Sequence, residues 1–176
     1  TLTLIKGAAK MDLFHRLSGS RLMEELILLF SEEEPRQAIA RLAELDLLRF
    51  IHPGLKWSPR LAALLKSVED ALDWYALLYL DHKMDAWVVY FTALMEVVPD
   101  KAVKETLKRL PVPERQAEKI RAGRFSSFAL LRRLAKRPPL KPAETYRTLL
   151  GLADEVLLAL IAKAKSESVK RQISAY

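Results

Sequence analysis

The groups in this sequence with the types and spacing to do chemistry are three histidines, a pair of aspartates one helical turn apart, and a dense run of lysines and arginines. His15, His52 and His82 lie far apart, and none stands in a metal-ligand spacing such as HExxH. His52 precedes Pro53-Gly54 and reads as a turn histidine. Asp81-His82 with Asp85 invites a metal-phosphohydrolase reading, but that site needs further histidine ligands upstream, which the sequence does not supply. Asp70 and Asp73, at i and i+3, have the spacing of a carboxylate pair for Mg²⁺. Flanked by Val68, Leu72 and Trp74 on an amphipathic stretch, they read instead as a solvated face. There is no Gly-rich phosphate loop and no serine in a nucleophile motif. Cysteine is absent, which excludes disulfides and thiolate metal sites and suits a reducing, cytoplasmic compartment. The reading is of no catalytic residue, no metal site and no cofactor within this chain.

The cations carry more. Residues 1–100 hold 11 Lys+Arg against 15 Asp+Glu, residues 101–147 hold 14 against 4, and residues 148–176 hold 4 against 3. The whole excess behind the formal charge of +7 therefore sits in one segment, and a field concentrated in this way attracts polyanions. Arg115, Lys119, Arg121 and Arg124 surround one helix end. Arg132, Arg133, Lys136 and Arg137 fill the last turns of the next helix and its exit, and Lys141 and Arg147 follow. Cations near helix C-termini also favour the macrodipole, so a solvated basic face competes with a phosphate-binding one. Aromatics within the segment are few, and Phe125 and Phe128 sit at core-like spacing. Recognition of RNA by shape and phosphate is therefore expected over base stacking.

These cations must be positioned by helices. Leu22, Leu26, Leu29 and Phe30 form an apolar stripe, with Ser20 as its cap and Glu24 and Glu25 in its first turn. Pro35 opens a helix bearing Ala38, Ile39, Leu42 and Leu45, and Ser58-Pro59 is a strong start for another. From there Leu61, Leu64, Leu65, Val68, Leu72, Tyr75, Leu78 and Tyr79 run at helical spacing for about six turns. Met84 to Val98 is apolar almost all round and should be central. Further helices are predicted from Pro99-Asp100 through Leu110, Glu114 to Ala122 ended by Gly123, Phe125 to Ala135, Glu144 to Leu150, Ala153 to Ala164 and Ser166 to Tyr176. Pro138, Pro139 and Pro142 form a stiff linker. No strand alternation is present and no apolar run approaches a membrane span. The expected fold is all-α, an irregular array of about eight to ten helices.

Two stretches are more specific. Arg21-Leu22-Met23-Glu24-Glu25-Leu26 follows Ser18-Gly19. Later, Ala38-Ile39-Ala40-Arg41-Leu42-Ala43-Glu44-Leu45-Asp46-Leu47-Leu48-Arg49-Phe50-Ile51 runs into His52-Pro53-Gly54-Leu55. This order resembles the neck of class II tRNA nucleotidyltransferases, the bacterial family of CCA-adding, A-adding and poly(A) polymerase enzymes. The likeness is tightest over residues 4–55 and looser through Tyr176. It implies a neck-like subdomain over residues 1–55 and a helical body over residues 56–176 that stops before the family's tail. The family's catalytic head, with its Asp-x-Asp, RRDFTxN-type and EDxxR-type motifs, is not within the sequence. Glu69-Asp70-Ala71-Leu72-Asp73 does not supply the last, because Asp73 stands at the arginine position. The sequence begins at Thr1 without methionine and stops at Tyr176 inside a helical pattern, so both ends are expected to continue.

The resemblance further implies that Arg21 and Glu25 brace the first neck helix against the nucleotide-binding region, against the plainer reading of an (i, i+4) surface pair. It implies RNA, specifically the tRNA acceptor arm, and the parent's own head as partners, with no membrane. It also implies Mg²⁺ and ATP or CTP as ligands of the missing head. Two other readings stay open: a free-standing helical nucleic-acid-binding module, and a protein-interaction scaffold built on Leu61 to Val98.

Overall fold

A computed structural model describes residues 17–81 and 83–176; His15, His82 and the first part of the neck-like stretch lie outside them. Every regular element among the described residues is helical. In chain order they are α1 (Gly19–Leu29), α2 (Pro35–Glu44), a 3₁₀ turn (Leu48–Phe50), α3 (Pro59–Ala76), α4 (Ala86–Met95), α5 (Asp100–Arg109) and α6 (Glu114–Arg121). A π-helical turn (Ala122–Ser126), α7 (Ser127–Leu134), α8 (Pro142–Leu149), α9 (Asp154–Lys163) and α10 (Glu167–Ser174) follow. None of the helices is long and apolar enough to cross a membrane.

Local chemistry sets most boundaries. Ser58 Oγ accepts from Leu61 N at 3.2 Å and Pro59 fills the first position of α3, while Pro35 and Pro142 open α2 and α8. The cap of α1 is Ser18, whose Oγ accepts from Arg21 N at 3.2 Å, rather than Ser20. Helix α3 also ends sooner than its stripe suggests. It closes at Ala76, and Leu78 and Tyr79 leave the core, Tyr79 being 86% exposed at φ 49°.

As its composition requires, α4 is the centre: Trp87 through Met95 are all buried. It lies against α3, α6 and α9, and α3 packs most extensively on α9. One apolar cluster runs from Met23 and Phe30 in α1 through α3 and α4 to Ala162 in α9, so residues 19–55 share their core with those that follow. A second cluster joins Leu134, Leu149, Leu160, Val169 and Ile173, and it seats α7, α8 and α10 on the far part of α9.

Two contacts fix the first helices to this core. Arg109, the last residue of α5, donates from Nη2 to the carbonyls of Phe50 and Ile51, each at 2.5 Å. Gly19 lies so close to the Arg109 carbonyl that an added Cβ would stand 1.9 Å from its oxygen. A third contact, Arg36 Nε to Glu69 Oε2 at 3.1 Å, ties α2 to α3, and Lys66 Nζ joins it at 3.0 Å. Burial draws the Glu69 carboxyl up, but the hydrogen bonds from Lys66 and Arg36 outweigh this and hold it below its ordinary 4.5. Ionised Glu69 therefore stabilises the fold above the unfolded value, and this contribution is lost as pH falls through the folded one.

Gly19→Ala should lower stability by about 1–3 kcal/mol, because backbone must yield; a denaturant melt of the variant reads this. Glu69→Gln should cost about 1 kcal/mol near neutral pH. The gap from the parent chain should narrow as pH falls below the ordinary 4.5 and close once it passes the lower folded value, as measured by melts across pH.

Candidate RNA-binding surface

The basic segment begins on a single helical run. Helices α6 and α7 are joined without a break by the π turn, so Gly123, expected to end a helix, continues one. A Cβ at Gly123 would stand 3.1 Å from Thr92 Cγ2 and 3.6 Å from Ala159 Cβ. The missing side chain is what lets the run cross α4 and α9 closely.

Two cations hold the turn in place. Lys163 of α9, its side chain 8% exposed, pairs with Glu96 Oε2 at 2.6 Å and donates to Gly123 O at 2.7 Å and Ser127 Oγ at 3.1 Å. All three ammonium hydrogens are thereby used. Burial pulls the Lys163 amine down and the Glu96 carboxylate pushes it back up, the former prevailing. Arg124, inside the turn, donates to Met95 O at 3.0 Å and Val98 O at 3.1 Å and pairs with Asp100 at 3.1 Å. It thereby satisfies carbonyls around the C-terminal end of α4.

The ten expected RNA-contacting cations divide sharply. Arg124 is committed as just described. Lys119 is 14% exposed and pairs at 2.6 Å with Glu155, a buried carboxylate that also accepts from Asp85 N at 3.0 Å. Arg121 is half-buried and pairs with Glu114. These three serve contacts within the protein, set by carboxylates and carbonyls on other turns and helices. Arg115, Arg132, Arg133, Lys136, Arg137, Lys141 and Arg147 are exposed, and none forms a side-chain hydrogen bond or ion pair with a described residue. Five of these seven, from Arg132 to Lys141, occupy the C-terminal end of α7 and the connector into α8. Arg115 stands apart, about 25 Å along the run at 1.5 Å per residue. From Lys119 to Ala143 the sequence contains no acidic residue, and the first carboxylate after that stretch, Glu144, accepts from Lys141 N at 2.9 Å.

Other expected residues are placed more plainly. Arg21 pairs with Glu25 at 2.7 Å and with Glu24 at 3.7 Å, all three exposed on α1. Among the described residues this is a pair within one helix. His52 Nδ1 accepts from Gly54 N at 2.9 Å, which makes it part of its turn. Asp70 pairs with Lys66 at 2.9 Å on the exposed side of α3. Phe128 departs from its spacing: it is 76% exposed. Phe125 lies inside the π turn and packs against the core, whereas Phe128 follows it in α7, where the register shifted by the wider turn leaves the ring facing solvent.

Residues 1–58 match the family described as "probable RNA and SrmB-binding site of polymerase A". The whole chain aligns with an A-adding tRNA nucleotidyltransferase of Geobacter sulfurreducens at 41% identity, covering 20% of that protein. An Aquifex aeolicus A-adding tRNA nucleotidyltransferase aligns at 24%, with 21% covered. The chain thus spans about one fifth of the length of the curated relatives it matches. Among solved structures, the Thermotoga maritima CCA-adding enzyme complexed with tRNA superposes with a TM-score of 0.76 at 22% identity, over 97% of this chain and 40% of that one. At such identity the likeness is one of fold.

Replacing Lys163 by Met should destabilise the protein by about 3 kcal/mol, because the Glu96 carboxylate loses its nearest partner and keeps only Arg124 Nε at 3.8 Å. Adding Glu96→Gln should recover part of the loss. Thermal melts of the two variants test this.

Proposed function

We propose, from this chain's membership of the class II tRNA nucleotidyltransferase and poly(A) polymerase family, that it is the neck and body that hold an RNA while a separate head extends the 3′ end. The observation that carries the reading is the exposed cationic end formed by Arg132, Arg133, Lys136, Arg137 and Lys141, whose side chains form no ion pair with a described residue. Such a cluster binds a phosphate backbone by releasing its condensed counterions. The RNA we favour is the acceptor arm of tRNA, in keeping with the tRNA-bound Thermotoga relative.

Nucleotide transfer belongs to the head, which by family resemblance uses Mg²⁺ and ATP or CTP. No group of three or more His, Asp or Glu among the described residues is arranged to hold a metal, so no step of the transfer is assigned to this chain. The role left to Arg21 and Glu25 is to meet the head from the exposed side of α1, and the cysteine-free sequence suits a cytoplasmic setting.

A second reading puts an RNA contact on residues 1–58, where the family match falls. That segment carries eight cations and eight carboxylates, so its grip would depend less on salt. One experiment separates the two. Changing Arg132, Arg133, Lys136 and Arg137 together to Glu should weaken tRNA binding at least roughly tenfold at low salt and flatten its salt slope by about 3–4, with helicity retained. Unchanged affinity and slope in a binding titration would move the contact to residues 1–58. A parent chain that binds no tRNA even at low salt would remove both readings.

A further inference from the structure

The exposed arc of α7 is made of four side chains, Phe128, Ala129, Arg132 and Arg133. We propose that Phe128, backed by Arg132, is a stacking platform for one unpaired base of the bound RNA. The inference rests on the RNA-holding reading above and adds to it the kind of nucleotide this face takes.

A phenylalanine ring left 76% in water serves neither the core nor the neighbouring aromatics, because no described ring packs against it. Its setting selects the partner. Arg132 lies at i+4, so the two side chains are neighbours one turn apart, about 5–6 Å between Cβ atoms. Ala129 sits beside them with no bulk, leaving a shelf on which a ribose can approach the helix. Arg133 then closes the other side, with Lys136 and Arg137 beyond. An apolar protein groove would not be matched by four cations and no carboxylate, whereas a nucleotide offers a flat π face and an anionic backbone within one residue's reach. Aromatic side chains flanked by Arg use that combination on single strands, and every base presents such a face. The π turn below keeps the ring pointed outward, and Lys163, bonded to Gly123 and Ser127, fixes that turn.

The test compares two RNAs on the intact 176-residue chain: a blunt duplex, and the same duplex with a single-stranded 3′ end carrying 2-aminopurine. Phe128→Ala should weaken binding of the overhang RNA roughly 5- to 100-fold, abolish the protein-induced change in 2-aminopurine fluorescence, and change blunt-duplex affinity little. Phe128→Trp should restore both, and Phe128→Leu neither. If Phe128→Ala leaves overhang affinity unchanged while the fourfold charge reversal still weakens it, the platform is overturned, the ring belongs to another class of partner, and the RNA-holding reading stands. If Phe128→Leu binds as well as the parent, stacking is overturned in favour of plain apolar contact. If neither Phe128→Ala nor the charge reversal changes binding, the platform is overturned together with the basic-edge contact, and the RNA contact moves to residues 1–58.

Discussion

An ammonium group withdrawn from water needs acceptors for all of its hydrogens, and the acceptors that Lys163 finds govern how the basic half of the chain is held. They come from three places at once: Glu96 just past α4, and Gly123 and Ser127 on and beyond the π turn. Because a lone buried charge is costly, these groups cannot separate independently. Arg124 completes the arrangement from the opposite direction, reaching out of the turn to the carbonyls of Met95 and Val98. A helical irregularity that would otherwise be a weak point is thereby made the most heavily bonded junction between the central helix and the basic run.

This junction divides the cations into two populations with different work. Lys119, Arg121 and Arg124 face carboxylates or carbonyls of the protein. Arg132 to Lys141 face solvent, where their charge is available to a polyanion and is screened by salt. Composition alone cannot separate the two groups, since all are Lys or Arg within one short stretch. For Lys119 and Arg124 the difference lies in partners about thirty residues away in sequence, Glu155 and Met95, and for Arg121 in Glu114 at the start of its own helix.

That distinction also explains what could be read beforehand. The all-helical fold, the central place of Trp87 to Met95, and the starts at Pro35, Ser58-Pro59 and Asp100 were legible, because apolar spacing and capping chemistry are local properties. The neck pattern at Arg21 to Leu26 and Ala38 to Leu55 pointed to the right family for the same reason: it is a pattern of neighbours. What escaped was tertiary. Gly123 looks like a stop signal until Thr92 and Ala159 are brought against it. Phe128 looks like core until the π turn shifts its register. Leu78 and Tyr79 extend an apolar stripe that the chain abandons at Ala76. The Arg109 grip on Phe50 and Ile51 has no signature, since its acceptors are backbone oxygens.

The continuity of the core from α1 to α9 has a consequence for reach. Gly19 is seated on the Arg109 carbonyl and Arg109 grips the 3₁₀ turn, and α9 contributes to both the cluster under the first helices and the one under the basic edge, so the two ends are packed on a common helix. The span between them is set by helix rise and side-chain bulk. A nucleic acid anchored at one end of such a body would present its terminus at a constant offset from the other, and the protein would work there as a caliper.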